Sequence, residues 1–177
     1  MELSFLYAIS RTPVLDDLFL IVTKIAGSYG QLWIIVGAVL LIFKKTRKTG
    51  VAVLISYVLV FLLGQLILKN LFDRPRPCHI DQTFKLLVER PTSSSFPSTH
   101  SAWAFAAATA VFMKFRKAGI AAFAVASIIA FSRLYLFLHF PTDVLTGILF
   151  GIAVGIASVK LLDLMCTCSH GRASRNS

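Results

Sequence analysis

The sequence predicts an all-α integral membrane protein, one bundle built on six apolar segments with its polar chemistry gathered at one end. Three observations carry this prediction. Of 177 residues, 56% are hydrophobic and only 15% are charged, whereas soluble domains carry about a quarter charged residues. The mean hydropathy of +0.77 agrees, because so much apolar surface needs lipid as its solvent. The apolar residues fall in runs long enough to be membrane helices, and basic residues collect at their ends. The length leaves no room for a second sizeable domain. Residues 1–165 are therefore expected to form a single transmembrane domain, and 166–177 a polar tail.

Taken in order, Met1 to Arg11 reads as a short interfacial piece or as part of the first helix. No cleavable signal peptide is expected, since Met1 to Ser10 lacks a basic n-region and no small-residue cleavage site follows. The first apolar segment covers Val14 to Ile25, with Asp16 and Asp17 at the interface and the helix entering lipid after them. The second, Gln31 to Phe43, is short against the about 20 residues that a span requires, so it is expected to extend back through Ser28 to Gly30. The clearest runs are Val51 to Leu68, Ala102 to Met113, Ile120 to Leu138 and Val144 to Leu164.

Short loops rich in Lys and Arg stay cytoplasmic. Lys44, Lys45, Arg47 and Lys48 form one basic turn, and Lys114, Arg116 and Lys117 form another. An even number of spans then places both termini on the cytoplasmic side, with Arg172 and Arg175 in the tail. Three connections fall outside: the turn near Ser28, the long loop from Lys69 to Thr99 and the bend from His139 to Thr142. The net charge of +10 thus sits largely at helix ends, unlike the soluble, aromatic-interleaved basic face of a nucleic-acid binder. Cys78 and the tail cysteines, Cys166 and Cys168, fall on opposite faces and are expected to stay unlinked. Cys166 and Cys168 with His170 lack four-ligand metal spacing and read as free thiols, with lipid attachment left open.

The positive charge of the long outer loop is unexplained by topology and directs attention to three groups. In KNLFDRPRP, Pro75 and Pro77 hold Arg74 and Arg76 in an extended turn after Lys69. Such a turn suits an anion that Arg can grip in bidentate fashion, or equally a helix end with snorkelling cations. Asp73 reads as a partner for Arg74, itself a supporting cation. In SSSFPSTH, Ser98 is a natural N-cap before the helix starting near Ala102, and free amides at a helix start bind anions. His100 sits in that first turn, where it can exchange a proton near neutral pH. In SRLYLFLHFPTD, Arg133 lies within an otherwise apolar helix. At the centre of a span an Arg costs about 2.5–3.5 kcal/mol, and less near the interface, so it should face a polar cavity or an anion. His139 ends that helix, and Asp143, four residues on, is placed to accept its Nδ1–H and raise the basicity of Nε2. Each group alone has a bland structural reading. Jointly, Lys69, Arg76, His100, Arg133, His139 and Asp143 all fall on one face, and cations gathered there would serve phosphate.

These groups resemble the motifs of the type 2 phosphatidic acid phosphatase family of membrane lipid phosphatases. Lys69, Arg76 and Pro77 meet K-x6-RP; Pro97, Ser98 and His100 meet P-S-G-H; Ser132, Arg133, His139 and Asp143 meet S-R-x5-H-x3-D. Thr99 stands where the second motif has glycine, which restricts the loop's approach to phosphate. The resemblance covers about Val51 to Leu164 and implies a six-helix bundle, no metal or other cofactor, and a site at the extracytoplasmic helix ends. It implies that His139 attacks phosphorus to form a phosphohistidine, that Asp143 orients it, and that His100 protonates the leaving oxygen and then activates water. Lys69, Arg76, Arg133 and the amides near Ser98 and Thr99 would hold the phosphate oxygens. The expected substrate is a membrane lipid phosphate at a bacterial cytoplasmic membrane. Undecaprenyl diphosphate comes first, then phosphatidylglycerophosphate or phosphatidic acid, then lipid A phosphate; transfer of phosphate onto another lipid would use the same intermediate. A non-enzymatic anion carrier would need neither the His139–Asp143 spacing nor His100 at a helix start, and would place its charges near the midplane.

Overall fold

The structure is a computed structural model describing residues 1–173, with side chains described through Thr167. All regular structure among these residues is helical. Two short N-terminal elements come first, α1 over Glu2–Tyr7 and α2 over Pro13–Ala26. Thr12 caps α2 by accepting from the Leu15 amide at 3.3 Å, with Pro13 in the first turn. Gly27 (φ 72°) and Gly30 (φ 69°) then take left-handed conformations, which no helix can run through. Helix α3 therefore begins at Gln31 and ends at Ile42, and the expected extension back through Ser28 does not form.

The break leaves two short helices. At 1.5 Å per residue, α2 and α3 reach only about 21 and 18 Å, short of a hydrocarbon core about 30 Å thick. They qualify as a membrane span only together, bent by 56°. Three stretches qualify alone: Arg47–Ile80, Arg116–Tyr135 and Pro141–Thr167. The 16-residue α7 (Thr99–Lys114) runs beside them. Glu2 and Asp163 lie at opposite ends of the bundle. Glu2 on α1 hydrogen-bonds Thr142 at the start of α9 (Pro141–Ala173), whereas Lys114 and Asp163 pair at 3.2 Å at the far end. Both basic turns share that far end.

Helix α4 (Arg47–Leu59) continues as a π-helical stretch over Val60–Leu68 and a last turn, α5, over Lys69–Phe72. Wide π turns are rare and are frequently found at functional sites; this one carries Gln65 and delivers Lys69. Asp73 closes α5 with a left-handed φ of 37°. The prolines then set an extended step into the short α6 (Pro77–Ile80), as the sequence predicts.

Helix α7 is the axis of the bundle, buried at every residue from Ser101 to Ala110. Its alanines let α9 approach closely. Gly147, Gly151 and Gly155 face the carbonyls of Ser98, Ala102 and Ala106, and a Cβ on Gly151 would lie 2.4 Å from the Ala102 oxygen. Spacing of four places these glycines on one face, the small-residue packing by which membrane helices associate. Gly151→Ala should therefore lower stability by about 1–3 kcal/mol through overpacking. Thermal unfolding in detergent checks this, with the exposed Leu149→Ala expected within about 0.5 kcal/mol of the parent.

Helix α8 (Arg116–Tyr135) ends three residues before the expected Leu138, so Arg133 sits in its last turn. The Leu138 amide bonds the Arg133 carbonyl at 3.1 Å and the Phe137 amide the Leu134 carbonyl at 2.9 Å, a Schellman cap. Phe137 occupies the left-handed position (φ 60°) where glycine is usual. Its ring is held by stacking on Phe84 at 4.0 Å and by Tyr7 at 5.3 Å. This cap turns the chain sharply and sets His139 at the mouth of α9.

Candidate active site

His139 is the best-defined member of the site. Its Nδ1 lies 2.8 Å from the Ser95 carbonyl and its Nε2 3.1 Å from Arg76 Nη1. A carbonyl only accepts and a guanidinium only donates, so Nδ1 carries the proton and Nε2 presents its lone pair. Burial and the Arg76 charge push the imidazole well below its ordinary pKa, which keeps it neutral at physiological pH.

The Nδ1 partner corrects the sequence expectation. Asp143 Oδ2 is 3.8 Å from Nδ1, too far for a hydrogen bond. The reason is local to α9. Asp143 is the third helical residue, and its carboxylate folds back onto the Phe140 amide at 2.8 Å, as acidic residues at this position do in a capping box. It also accepts the Ser95 hydroxyl and Arg74 Nη1, the latter at 2.6 Å. Asp143 acts on His139 through charge across 3.8 Å, and through Ser95, which touches both. Arg74 thus pairs with Asp143 and Glu2, where the sequence suggested Asp73.

The cations converge as predicted. Arg76 is buried and fixed by the Ser93 carbonyl (2.7 Å) and hydroxyl (3.1 Å), the Ser94 carbonyl (3.2 Å) and the Leu138 carbonyl (3.0 Å). Lys69 Nζ lies 3.3 Å from the Ser93 hydroxyl. Arg133 donates to Thr23 Oγ1 at 2.6 Å and to Ser132 Oγ at 2.9 and 3.0 Å. His100 Nε2 donates to the Gly27 carbonyl at 3.0 Å, which leaves Nδ1 as its exchanging nitrogen. The left-handed Gly27 that breaks the helix thereby orients His100.

One cavity of about 790 Å3 is lined by Lys69, Arg76, Thr99, His100, Arg133 and His139, together with Gln65. Asp143 and Ser98 stand behind its wall. The Ser98 amide donates to the Asp143 carbonyl at 3.0 Å and its hydroxyl meets Ser101 Oγ at 2.9 Å. Contrary to expectation, Ser98 therefore offers no free amide. The following amides of α7 have no acceptor within the helix and remain at the cavity end. Thr99 faces the cavity with its hydroxyl on Gln65 Oε1 at 3.2 Å.

Three buried cations around one buried carboxylate leave the cavity in need of an anion. Among the described residues no three His, Cys, Asp or Glu side chains converge as a metal site; the side chains of Cys168 and His170 lie outside the described residues.

The sequence profile of the PAP2 superfamily matches residues 45–164, a span holding every residue from Lys69 to Asp143. The chain belongs to the PAP2 superfamily. An undecaprenyl-diphosphatase of Sulfolobus acidocaldarius is 32% identical over 91% of this chain and 77% of that protein. Aquifex aeolicus LpxE superposes with a TM-score of 0.72 at 32% identity, covering 90% of this chain and 94% of the other. A PAP2-type phosphatidylglycerolphosphate phosphatase from Bacillus subtilis gives 0.71 at 29% identity, over 92% and 83%. This PAP2 chain is accordingly an integral membrane hydrolase of the lipid phosphatase class.

Sequence reasoning missed Ser95, Gly27, Gln65 and Glu2. Ser95 is one of three consecutive serines and nothing in the run separates it from its neighbours. Gly27 acts through a carbonyl, a role invisible in residue type.

Proposed function

We propose that the chain hydrolyses the diphosphate headgroup of undecaprenyl diphosphate through a phosphohistidine on His139, at the extracytoplasmic face of a bacterial cytoplasmic membrane. The observation that carries this reading is the tautomer of His139, whose Nε2 lone pair faces a cavity walled by buried cations. The Nε2 lone pair attacks the terminal phosphorus as the phosphorus–oxygen bond to the lipid phosphate breaks. Arg76 releases Nε2 to a phosphate oxygen, and Lys69 and Arg133 take up the remaining negative charge. His100, protonated on both nitrogens, gives its Nδ1 proton to the leaving oxygen. Neutral His100 then takes a proton from water, which attacks phosphorus and frees His139 and inorganic phosphate.

Both basic turns lie at the end opposite the cavity, which supports an outward site. If α2 and α3 cross together as one broken pass, α1 lies outside with the site and the end of α9 inside. The relatives carry both undecaprenyl-diphosphatase and phosphatidylglycerolphosphate phosphatase names, and phosphatidylglycerophosphate is the second reading. The test is kcat/KM of the detergent-purified protein on undecaprenyl diphosphate, phosphatidylglycerophosphate and phosphatidic acid, each with and without a chelator. A higher value for phosphatidylglycerophosphate replaces the first reading by the second, and loss of turnover on chelation refutes the metal-free route. His100→Ala should lower kcat by about 10^2- to 10^4-fold, because both the protonation of the leaving oxygen and the activation of water are lost. Rapid quench with labelled substrate measures the drop in kcat.

A further inference from the structure

Behind Asp143 stands a pair of charges that the reaction above does not use. Arg74 Nη1 donates to Asp143 Oδ1 at 2.6 Å and to Thr142 Oγ1 at 2.7 Å, and Nη2 donates to Glu2 Oε2 at 2.6 Å. The other Glu2 oxygen accepts from the Thr142 amide at 3.2 Å and hydroxyl at 2.7 Å. The guanidinium rests on the Phe140 ring at 4.3 Å. Arg74 is itself anchored, its amide on Ser94 Oγ at 3.0 Å and its carbonyl accepting from the Ser95 amide at 2.8 Å. One fixed cation is thus shared by two carboxylates, one fully buried beside His139 and one on the N-terminal helix.

We propose that Glu2 is a positioning residue for catalysis, acting through Arg74 on Asp143. This rests on His139 being the nucleophile. If Arg74 faced Asp143 alone, the two charges would cancel and His139 would become cationic on phosphorylation with nothing to offset it. Glu2 draws on the same guanidinium, so the group of three keeps one negative charge in excess next to the imidazole. It also fixes the second arm of Arg74, which holds the Asp143 carboxylate in its place between Ser95 and Phe140. The N-terminal helix is therefore part of the site's charge balance as well as of its packing.

Glu2→Gln keeps the size, and its amide oxygen can keep the Thr142 contacts, while the charge and the acceptor for Arg74 Nη2 are lost. In the full-length protein it should lower kcat about tenfold, the scale typical of groups that orient a reacting residue. KM and the melting temperature should stay at parent values, and Glu2→Asp should recover most of kcat. In an Arg74→Gln background the Glu2→Gln change should add nothing, because the two act as one unit. An unchanged kcat, a loss expressed in KM or melting temperature, or additive effects with Arg74→Gln would each overturn the proposal. Turnover by His139→Ala would instead refute the nucleophile assignment, so the two failures are distinguishable.

Discussion

His139→Ala should reduce turnover by about 10^4-fold or more, the scale seen when a covalent nucleophile is removed from a preorganised site. The expectation follows from the way the imidazole is held. The Ser95 carbonyl and the Arg76 guanidinium admit one tautomer between them, so the lone pair is aimed before substrate arrives and no reorientation is required. Asp143 at 3.8 Å is too far to take the Nδ1 proton but close enough to offset the positive charge that phosphorylation creates. Alanine removes the attacking atom while leaving Arg76, Lys69 and Arg133 in place, so substrate binding should persist with little change in KM. The Ser95 carbonyl loses its donor, a cost of about 1–3 kcal/mol, small enough for the variant to remain folded in a thermal melt. Quenched turnovers with labelled lipid phosphate should show acid-labile, base-stable phosphate on the parent protein and none on the variant. Normal turnover would mean that water attacks phosphorus directly and that His139 is structural.

The fold was legible wherever one segment could satisfy itself. Val51 to Leu68 and Val144 to Leu164 are apolar enough to be membrane helices whatever they pack against, and both are. Arg133 in an apolar helix, with Lys69 and Arg76, demanded polar surroundings, and the structure brings these three to one cavity. What failed depended on comparing segments. Val14 to Ile25 and Gln31 to Phe43 each look like a marginal span, and the left-handed Gly27 and Gly30 leave them as two short helices that reach the length of a span only together. The His139–Asp143 spacing was read as a hydrogen bond, but the Asp143 carboxylate is taken up by the Phe140 amide, the Ser95 hydroxyl and Arg74. Ser95 wins the Nδ1 proton from 44 residues away, through a loop whose path no local pattern encodes.

Arg76→Lys should lower kcat/KM by about 10^2- to 10^3-fold, although it keeps the charge. One donor aimed at a developing oxyanion is worth about that much, and Arg76 is more than a charge. Its guanidinium spans the Ser93 and Ser94 carbonyls on one side and the Leu138 carbonyl and His139 Nε2 on the other. It thereby ties the 93–95 loop, which sets the tautomer, to the turn that carries His139. A lysine ammonium lacks the planar fork and can meet only part of this set. The loop and the turn would drift apart, and the Ser95 carbonyl would no longer be held against Nδ1. Lys69→Arg is the informative contrast. Lys69 makes a single contact, with the Ser93 hydroxyl at 3.3 Å, so it acts as a point charge that a larger cation replaces in charge but not in fit. Its loss should be smaller and should appear mainly in KM, because it weakens phosphate binding without disturbing His139. Equal losses in the two variants, both in KM, would show that Arg76 serves only as a cation and that the loop is held in place by other contacts.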